Sequence, residues 1–170
     1  MNPDSYDPML ESLKYQLEIL KTELESIDKT VARIDEITQT IKNWAIVTWA
    51  GVISLAVGQP ELRKYIMITA LLPLIFWYMD GYWRHLQRRS TFRAIKIREF
   101  LNDERLQKSF AQKKLVGFLI YDPIGHQYKD LPEYKKYIAA RRTLNFAEVR
   151  NFYLGLIIIS VILGVVFFYI

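Results

Sequence analysis

The chain has no cysteine, two histidines and few backbone breakers, with 7 glycines and 6 prolines in 170 residues. Without cysteine there are no disulfides, no thiolate metal sites and no cysteine nucleophile, a composition that suits either side of a membrane. His85 and His126 stand apart from any group with metal-ligand spacing. No glycine-rich phosphate loop follows a strand pattern, and no serine sits in a nucleophile elbow. Neither an enzyme nor a metal or cofactor site is expected. The N-terminus is polar and acidic, unlike a cleavable signal peptide.

What the chain has in abundance is apolar surface, 51% hydrophobic residues with 14% aromatic, gathered in blocks. Three runs carry no charge: 44–58, 65–79 and 152–170. The third, with 19 residues, meets the length needed to cross about 30 Å of hydrocarbon. The first two have 15 residues each, and their flanks mark them as a two-span hairpin. Trp44, Trp77, Tyr78, Tyr82 and Trp83 gather at one end as an interfacial belt, while Asn43, Gln59, Arg63 and Lys64 can snorkel to lengthen each span. Residues 84–150 hold 16 lysines and arginines against 7 acids, and Arg84, Arg88, Arg89, Arg93, Lys96 and Arg98 follow the hairpin closely. The positive-inside rule assigns that segment to the cytoplasm, returns the N-terminal helix to the same side and sends the C-terminus out.

One apolar seam organises the first half of the chain. Leu10, Leu13, Leu17, Leu20, Leu24, Ile27, Val31, Ile34 and Ile41 alternate in steps of three and four, with Thr38 at the missing place. This is a heptad repeat, with Leu10, Leu17, Leu24, Val31 and Thr38 at a and Leu13, Leu20, Ile27, Ile34 and Ile41 at d. The count continues onto Ala45, Thr48, Val52 and Leu55, so coiled coil and first span read as one rod, roughly 70 Å from Leu10 to Gly58. Leucine at a with isoleucine at d favours three or four strands, and the expected assembly is a parallel homotetramer. The alternative is that the stripe packs on the chain's own cytoplasmic segment. If four rods meet on an axis, Thr38, Ile41, Ala45 and Thr48 line a lumen, and Val52 and Leu55 form a hydrophobic constriction. Ala45, Ala50, Ser54 and Gly58 equally suit close packing of a sealed bundle.

Further along, Pro3, Asp4, Ser5, Asp7 and Pro8 predict a helix start near Pro8 or Met9. Gly58, Gln59 and Pro60 end the rod, and Pro73 predicts a kink in the second span. Asp80 is expected near the interface, contacting water or an arginine. A helix runs from Trp83 to Leu101; Asn102 and Asp103 stop it and cap a shorter helix through Leu106 and Phe110. Leu115–Tyr121 reads as a strand or membrane-hugging loop, Asp122, Pro123 and Gly125 as a turn, and Leu131–Arg142 as a basic amphipathic helix. Thr143 or Asn145 caps the last helix. The layout is an all-α membrane protein: coiled coil 9–42, hairpin 43–83, basic cytoplasmic segment 84–150 and third span 151–170. Arg84, Arg88, Arg89 and Arg93 are candidates for phosphate, lipid headgroups before nucleic acid, with Tyr82, Trp83, Phe92 and Tyr128 available to stack bases.

Three stretches, Asn43-Trp44-Ala45-Ile46-Val47-Thr48-Trp49, Phe76-Trp77-Tyr78-Met79-Asp80-Gly81-Tyr82-Trp83-Arg84 and Arg98-Glu99-Phe100-Leu101-Asn102, resemble a family of small bacterial membrane proteins. A helix, a two-span hairpin and a basic helix also resemble the SLATT-type membrane effectors of antiphage defence, and more closely the membrane effectors of the Hailong system. The resemblance covers most of residues 9–105. It implies a bacterial inner-membrane location and a tetrameric, funnel-shaped channel. It also implies control by a DNA oligomer made by a partner nucleotidyltransferase, with the N-terminal helix helping to hold the channel shut. Residues up to Asn43 carry 9 acids against 5 bases, so a polyanion site on that helix would use Lys14, Lys21, Lys29 or Arg33 locally. The leading expectation is an oligomeric channel gated by a nucleotide or oligonucleotide. The alternative is a non-conducting, membrane-tethered coiled-coil scaffold that recruits a cytoplasmic partner.

Overall fold

A computed structural model describes residues 7–144 and 146–169, which form helices and connecting segments with no strand among them. Helix α1 runs unbroken over Pro8–Gly58. Its start is fixed by Asp7, whose Oδ1 accepts from the N–H groups of Met9 at 3.1 Å and Leu10 at 3.3 Å. Pro3, Asp4 and Ser5, expected to take part in that start, lie outside the described residues. Gln59 leaves helical geometry, and Pro60 opens a 3-10 helix, Pro60–Ala70, which passes into α2, Leu71–Leu101. Asp103 caps α3, Glu104–Gln112, by accepting from the Arg105 N–H. The stretch read as a strand or membrane-hugging loop, Leu115–Tyr121, is irregular, with Leu115 and Phe118 packed on a buried core. A short 3-10 turn, His126–Tyr128, follows Gly125. The single basic helix expected over Leu131–Arg142 is two, α4 at Pro132–Ile138 and α5 at Ala140–Leu144, parted at Ala139. The last helix is α6, Ala147–Tyr169. Of its two expected caps, Thr143 is buried within α5 and Asn145 lies outside the described residues.

The 3-10 segment lengthens the short second span. At about 2.0 Å per residue the uncharged stretch from Tyr65 to Ala70 rises roughly 12 Å, and α2 from Leu71 to Met79 adds about 13 Å, leaving Arg63 and Lys64 to snorkel over the rest of some 30 Å of hydrocarbon. Three residues per turn also align side chains in straight rows. Ile66 and Thr69 form the buried row, and Thr69 Oγ1 donates to the Ile66 carbonyl at 2.7 Å. Met67, in another row, lies against Gly164 of α6, where an added Cβ would come within 3.1 Å of the Met67 Cα. Pro73 does not interrupt a helix: α2 begins at Leu71, so the missing N–H falls in a first turn, where no helical partner is required.

The chain divides into two compact units, residues 1–32 with 87–137 and residues 33–86 with 138–170, and α1 and α2 each contribute to both. In the first unit Leu20 and Ile27 pack with Ala94, Ile97 and Phe100 of α2, flanked by Leu17, Leu24 and Val31 and covered by Leu106, Leu115 and Phe118. Leu13 is also fully buried, and Leu10 is half-buried. This is the alternative expected for the stripe, packing on the chain's own basic segment. The d-position side chains are consumed inside one chain because α2 presents a matching apolar stripe, and packing within a chain avoids the freedom that association of copies gives up.

In the second unit Ile34, Thr38, Ile41 and Ala45 are buried too, with Ala45 held against Val149 and Tyr153 and flanked by Phe76, Trp77 and Phe152. The indole N–H groups are satisfied: Trp49 donates to Ser160 Oγ at 2.7 Å and Trp77 to the Leu144 carbonyl at 3.1 Å. Three helical stretches, in Pro8–Gly58, Pro60–Leu101 and Pro132–Tyr169, are long and apolar enough to cross a membrane.

Candidate functional site

Among the described residues, the densest polar arrangement lies in the first unit. Arg93 is fully buried, and each of its three guanidinium nitrogens donates a hydrogen bond. Nε and Nη2 donate to the two carboxylate oxygens of Glu23 at 2.8 and 2.9 Å; Nη1 donates to Tyr128 Oη at 2.8 Å; Nη2 also donates to the Leu119 carbonyl at 2.8 Å. The Phe118 ring lies 4.7 Å beneath the guanidinium carbon. Glu23 in turn accepts from the backbone N–H of Tyr121 at 3.1 Å and of Asp122 at 2.9 Å. One buried ion pair therefore ties α1, α2 and the 113–125 segment together. Burial alone would lower the Arg93 pKa, but hydrogen bonds with Glu23 and Tyr128 outweigh it and hold the guanidinium above its ordinary value. Tyr121 has φ of 56°, a left-handed conformation that costs a non-glycine residue free energy and that the Glu23 contact holds in place.

Beside this pair opens a cleft of about 410 Å³ lined by Lys96, Arg105, Gly117, Phe118, Leu119, Gln127 and Tyr128. Its walls are aromatic and its rim cationic. Lys96 is shared between Glu99 at 3.0 Å and Glu133 at 2.9 Å, and Arg105 pairs with Asp103 at 3.0 Å. Burial of Lys96 would lower its pKa, yet the two carboxylates prevail and raise it, so the ammonium is firmly charged. The side-chain nitrogen of Gln127 is buried beside the Asp122 carboxylate, which it helps to hold below its ordinary pKa. Such a cleft suits a small ligand with a planar, stackable part.

The expected phosphate-binding arginines each reach a group of the chain, with Arg93 fully buried and Arg84, Arg88 and Arg89 half-buried. Arg84 Nε lies 3.3 Å from the buried Asp80, Arg88 Nε donates to the Tyr137 carbonyl at 2.7 Å, and Arg89 Nε donates to Tyr134 Oη at 3.2 Å. With Arg93 on Glu23, each of the four meets a group of its own chain. Buried acceptors in a packed helical unit capture nearby guanidinium donors before solvent ligands can. Asp80, expected near water or an arginine, is fully buried and takes the arginine, with Tyr153 Oη donating to Oδ2 at 3.4 Å. His85 Nδ1 lies 3.0 Å from the Ile138 carbonyl, a structural contact.

The expected N-terminal polyanion residues Lys14, Lys21, Lys29 and Arg33 are exposed and gathered into no cavity, and Lys14 pairs with Glu11 at 2.8 Å. The expected pore-lining set divides. Thr38, Ile41 and Ala45 are buried within a single chain; Thr48 is half-buried; Val52 and Leu55 are exposed. The sequence reasoning passed over Glu23, Arg105 and Gln127. Glu23 had a visible signal, an acid at a g position directly before Leu24 of the seam. Comparison with family models, characterised proteins and solved structures finds no match.

Proposed function

We propose that the protein is a membrane-tethered, non-catalytic effector whose three spans hold a ligand-responsive scaffold unit at the cytoplasmic face. The observation that supports this reading is the burial of seam residues inside one chain, Thr38, Ile41 and Ala45 among them, beside a folded polar unit with an open cleft. The cytoplasmic assignment of the N-terminus, and the extracytoplasmic one of the C-terminus, rest on the basic excess of residues 84–150, and the resemblance to SLATT-type effectors favours a bacterial inner membrane. Ligand occupancy beside Phe118, Leu119 and Tyr128 bears on the same segment that the Arg93–Glu23 pair fastens to α1 and α2. The resemblance to SLATT-type effectors favours a phosphate-bearing ligand, a nucleotide or short DNA oligomer.

A second reading, a homotetrameric channel, is favoured by one observation: Val52 and Leu55 remain uncovered on the part of α1 nearest Gly58. There, copies have room to meet and form a hydrophobic constriction.

Ion flux through liposomes containing the full chain separates the two. The scaffold reading expects tight liposomes with and without a dinucleotide or a DNA oligomer, and a raised unfolding midpoint on binding that Arg105→Glu abolishes. Ligand-dependent flux that Leu55→Asn increases would replace the scaffold with the channel.

A further inference from the structure

Of the three rows of the 3-10 helix only that of Ile66 and Thr69 is buried, and one of the two exposed rows is apolar throughout. Leu62, Tyr65 and Ile68 stand in line at three-residue spacing and continue onto Leu71. Together with Val52, Ala56, Thr69 and Leu72 they line a groove of about 410 Å³. The only side-chain oxygens in this lining belong to Tyr65 and Thr69, and the Thr69 hydroxyl is already spent on the Ile66 carbonyl. The groove lies within helices apolar enough to cross a membrane, so its natural filling is hydrocarbon; a dry apolar hollow gives water nothing to bond.

Two cations stand at the end of this row nearest the Gln59 turn, and they differ in their commitments. Arg63 Nε donates to the Val57 carbonyl at 3.2 Å, and its guanidinium lies 5.6 Å from the Phe167 ring, fastening the turn. The Lys64 ammonium lies 5.1 Å from the centre of the Tyr65 ring, which itself lines the groove. No carboxylate among the described residues pairs with Lys64, Glu61 included, and Lys64 is exposed. A free cation therefore stands at the mouth of an acyl-sized apolar groove. A second copy seated there about a two-fold axis along the membrane normal would bring Lys64 toward its own counterpart, an unfavourable pairing.

We infer that this groove is a phospholipid site, with an acyl chain along Leu62, Tyr65 and Ile68 and the headgroup phosphate at Lys64. Native mass spectrometry of the full chain released from phosphatidylglycerol nanodiscs tests it. The expected result is one retained phospholipid per chain. Lys64→Gln should lower retention about fivefold, the effect of one lysine near an anionic headgroup. Ala56→Phe and Ile68→Trp, which fill the groove from opposite walls, should each abolish it. Lys135→Gln on α4 should leave it unchanged, and two independent filling variants guard against one that fails to fold. Retention that survives both filling variants would overturn the inference. So would disulfide-linked dimers of Leu62→Cys, read without background in a chain that has no other cysteine, because a second copy would then occupy the groove.

Discussion

Leu20 and Leu55 lie on the same seam of the same helix, yet Leu20 is fully buried and Leu55 is 63% exposed. Around Leu20 the chain supplies a cover, the apolar stripe of Ala94, Ile97 and Phe100. Beyond Ala45 the seam runs on through Val52 and Leu55 with no such cover. The two halves face different solvents. A leucine row exposed to water is an adhesive patch and must be covered, whereas the same row in hydrocarbon meets a medium as apolar as itself. A heptad pattern thus identifies a face, and the surrounding medium decides whether that face needs a partner. The polar groups differ in reach: Arg93 and Glu23 join α1, α2 and the 113–125 segment of the first unit, whereas in the second Asp80 meets Arg84 one turn along its own helix and Tyr153 of α6, and Trp49 meets Ser160.

The sharpest way to break this comparison is to unpair the charge in the first unit. Arg93→Ala leaves Glu23 buried and uncompensated and should cost about 3–5 kcal/mol. It should appear as protease sensitivity confined to residues 113–125 and a lowered unfolding midpoint of the full chain in detergent. Replacing both partners, Glu23→Met with Arg93→Met, should recover part of that loss. If the single variant unfolds no more readily than the parent, the network is not what secures the segment. The seam comes next: Leu20→Ala should cost about 2–5 kcal/mol by cavity formation, and Leu55→Ala less than about 0.5 kcal/mol, both read from the same unfolding midpoint. Equal costs would mean that Leu55 is covered by another copy, and the channel reading would gain.

Two glycines repeat the contrast on a smaller scale. A Cβ on Gly164 would approach the Met67 backbone nitrogen at 3.0 Å, whereas one on Gly51 meets nothing within 4 Å. Gly164→Val should therefore push α6 off the 3-10 helix and cost about 1–3 kcal/mol. Gly51→Ala should be neutral or stabilising by up to about 1 kcal/mol, through helix propensity alone. A cost at Gly51 would show that this face is an interface between copies.

Much of the helical layout was legible because its signals are local. Asp7 and Pro8 start α1, Gly58 to Pro60 end it, and Asp103 caps α3, each through groups within a few residues of one another. The seam itself was legible, but its partner was not. Periodicity shows that Leu13, Leu20 and Ile27 share a face and carries no information on whether α2 or another chain covers it. The 3-10 stretch escaped for a related reason: Pro60 marks a start, but the close approach of Met67 to Gly164 is a tertiary fact. Charge near a membrane has two uses, and only packing reveals that Arg93 is spent on Glu23 while Arg84, Arg88 and Arg89 each reach a group of the chain through Nε. The cleft joins Lys96 and Arg105 to Gln127 and Tyr128 across some thirty residues with no shared motif, a juxtaposition that folding alone creates.

The smallest expected effect concerns pH and tests whether the 113–125 segment depends on more than Arg93. Burial alone would raise the Asp122 pKa, but the N–H groups of Gln127 and His126, each donating at 2.9 Å, outweigh it and hold the carboxyl below its ordinary value. A carboxyl depressed in the folded state binds protons less readily than in the unfolded chain. Its contribution is complete above the unfolded value of about 3.9 and fades as pH falls through the folded one. Asp122 is only half-buried, so solvent screening keeps the effect below about 1 kcal/mol. Unfolding midpoints of the full chain should be flat between about pH 5 and 7 and decline below about pH 4, with a shallower decline in Asp122→Asn. An identical decline in the variant would assign the acid sensitivity to other carboxylates, with Asp7 and Asp103 the next to test, since each caps a helix start and sits below its ordinary value. The Lys113 hydrogen bond is the main cause for Asp7, and the Arg105 N–H for Asp103.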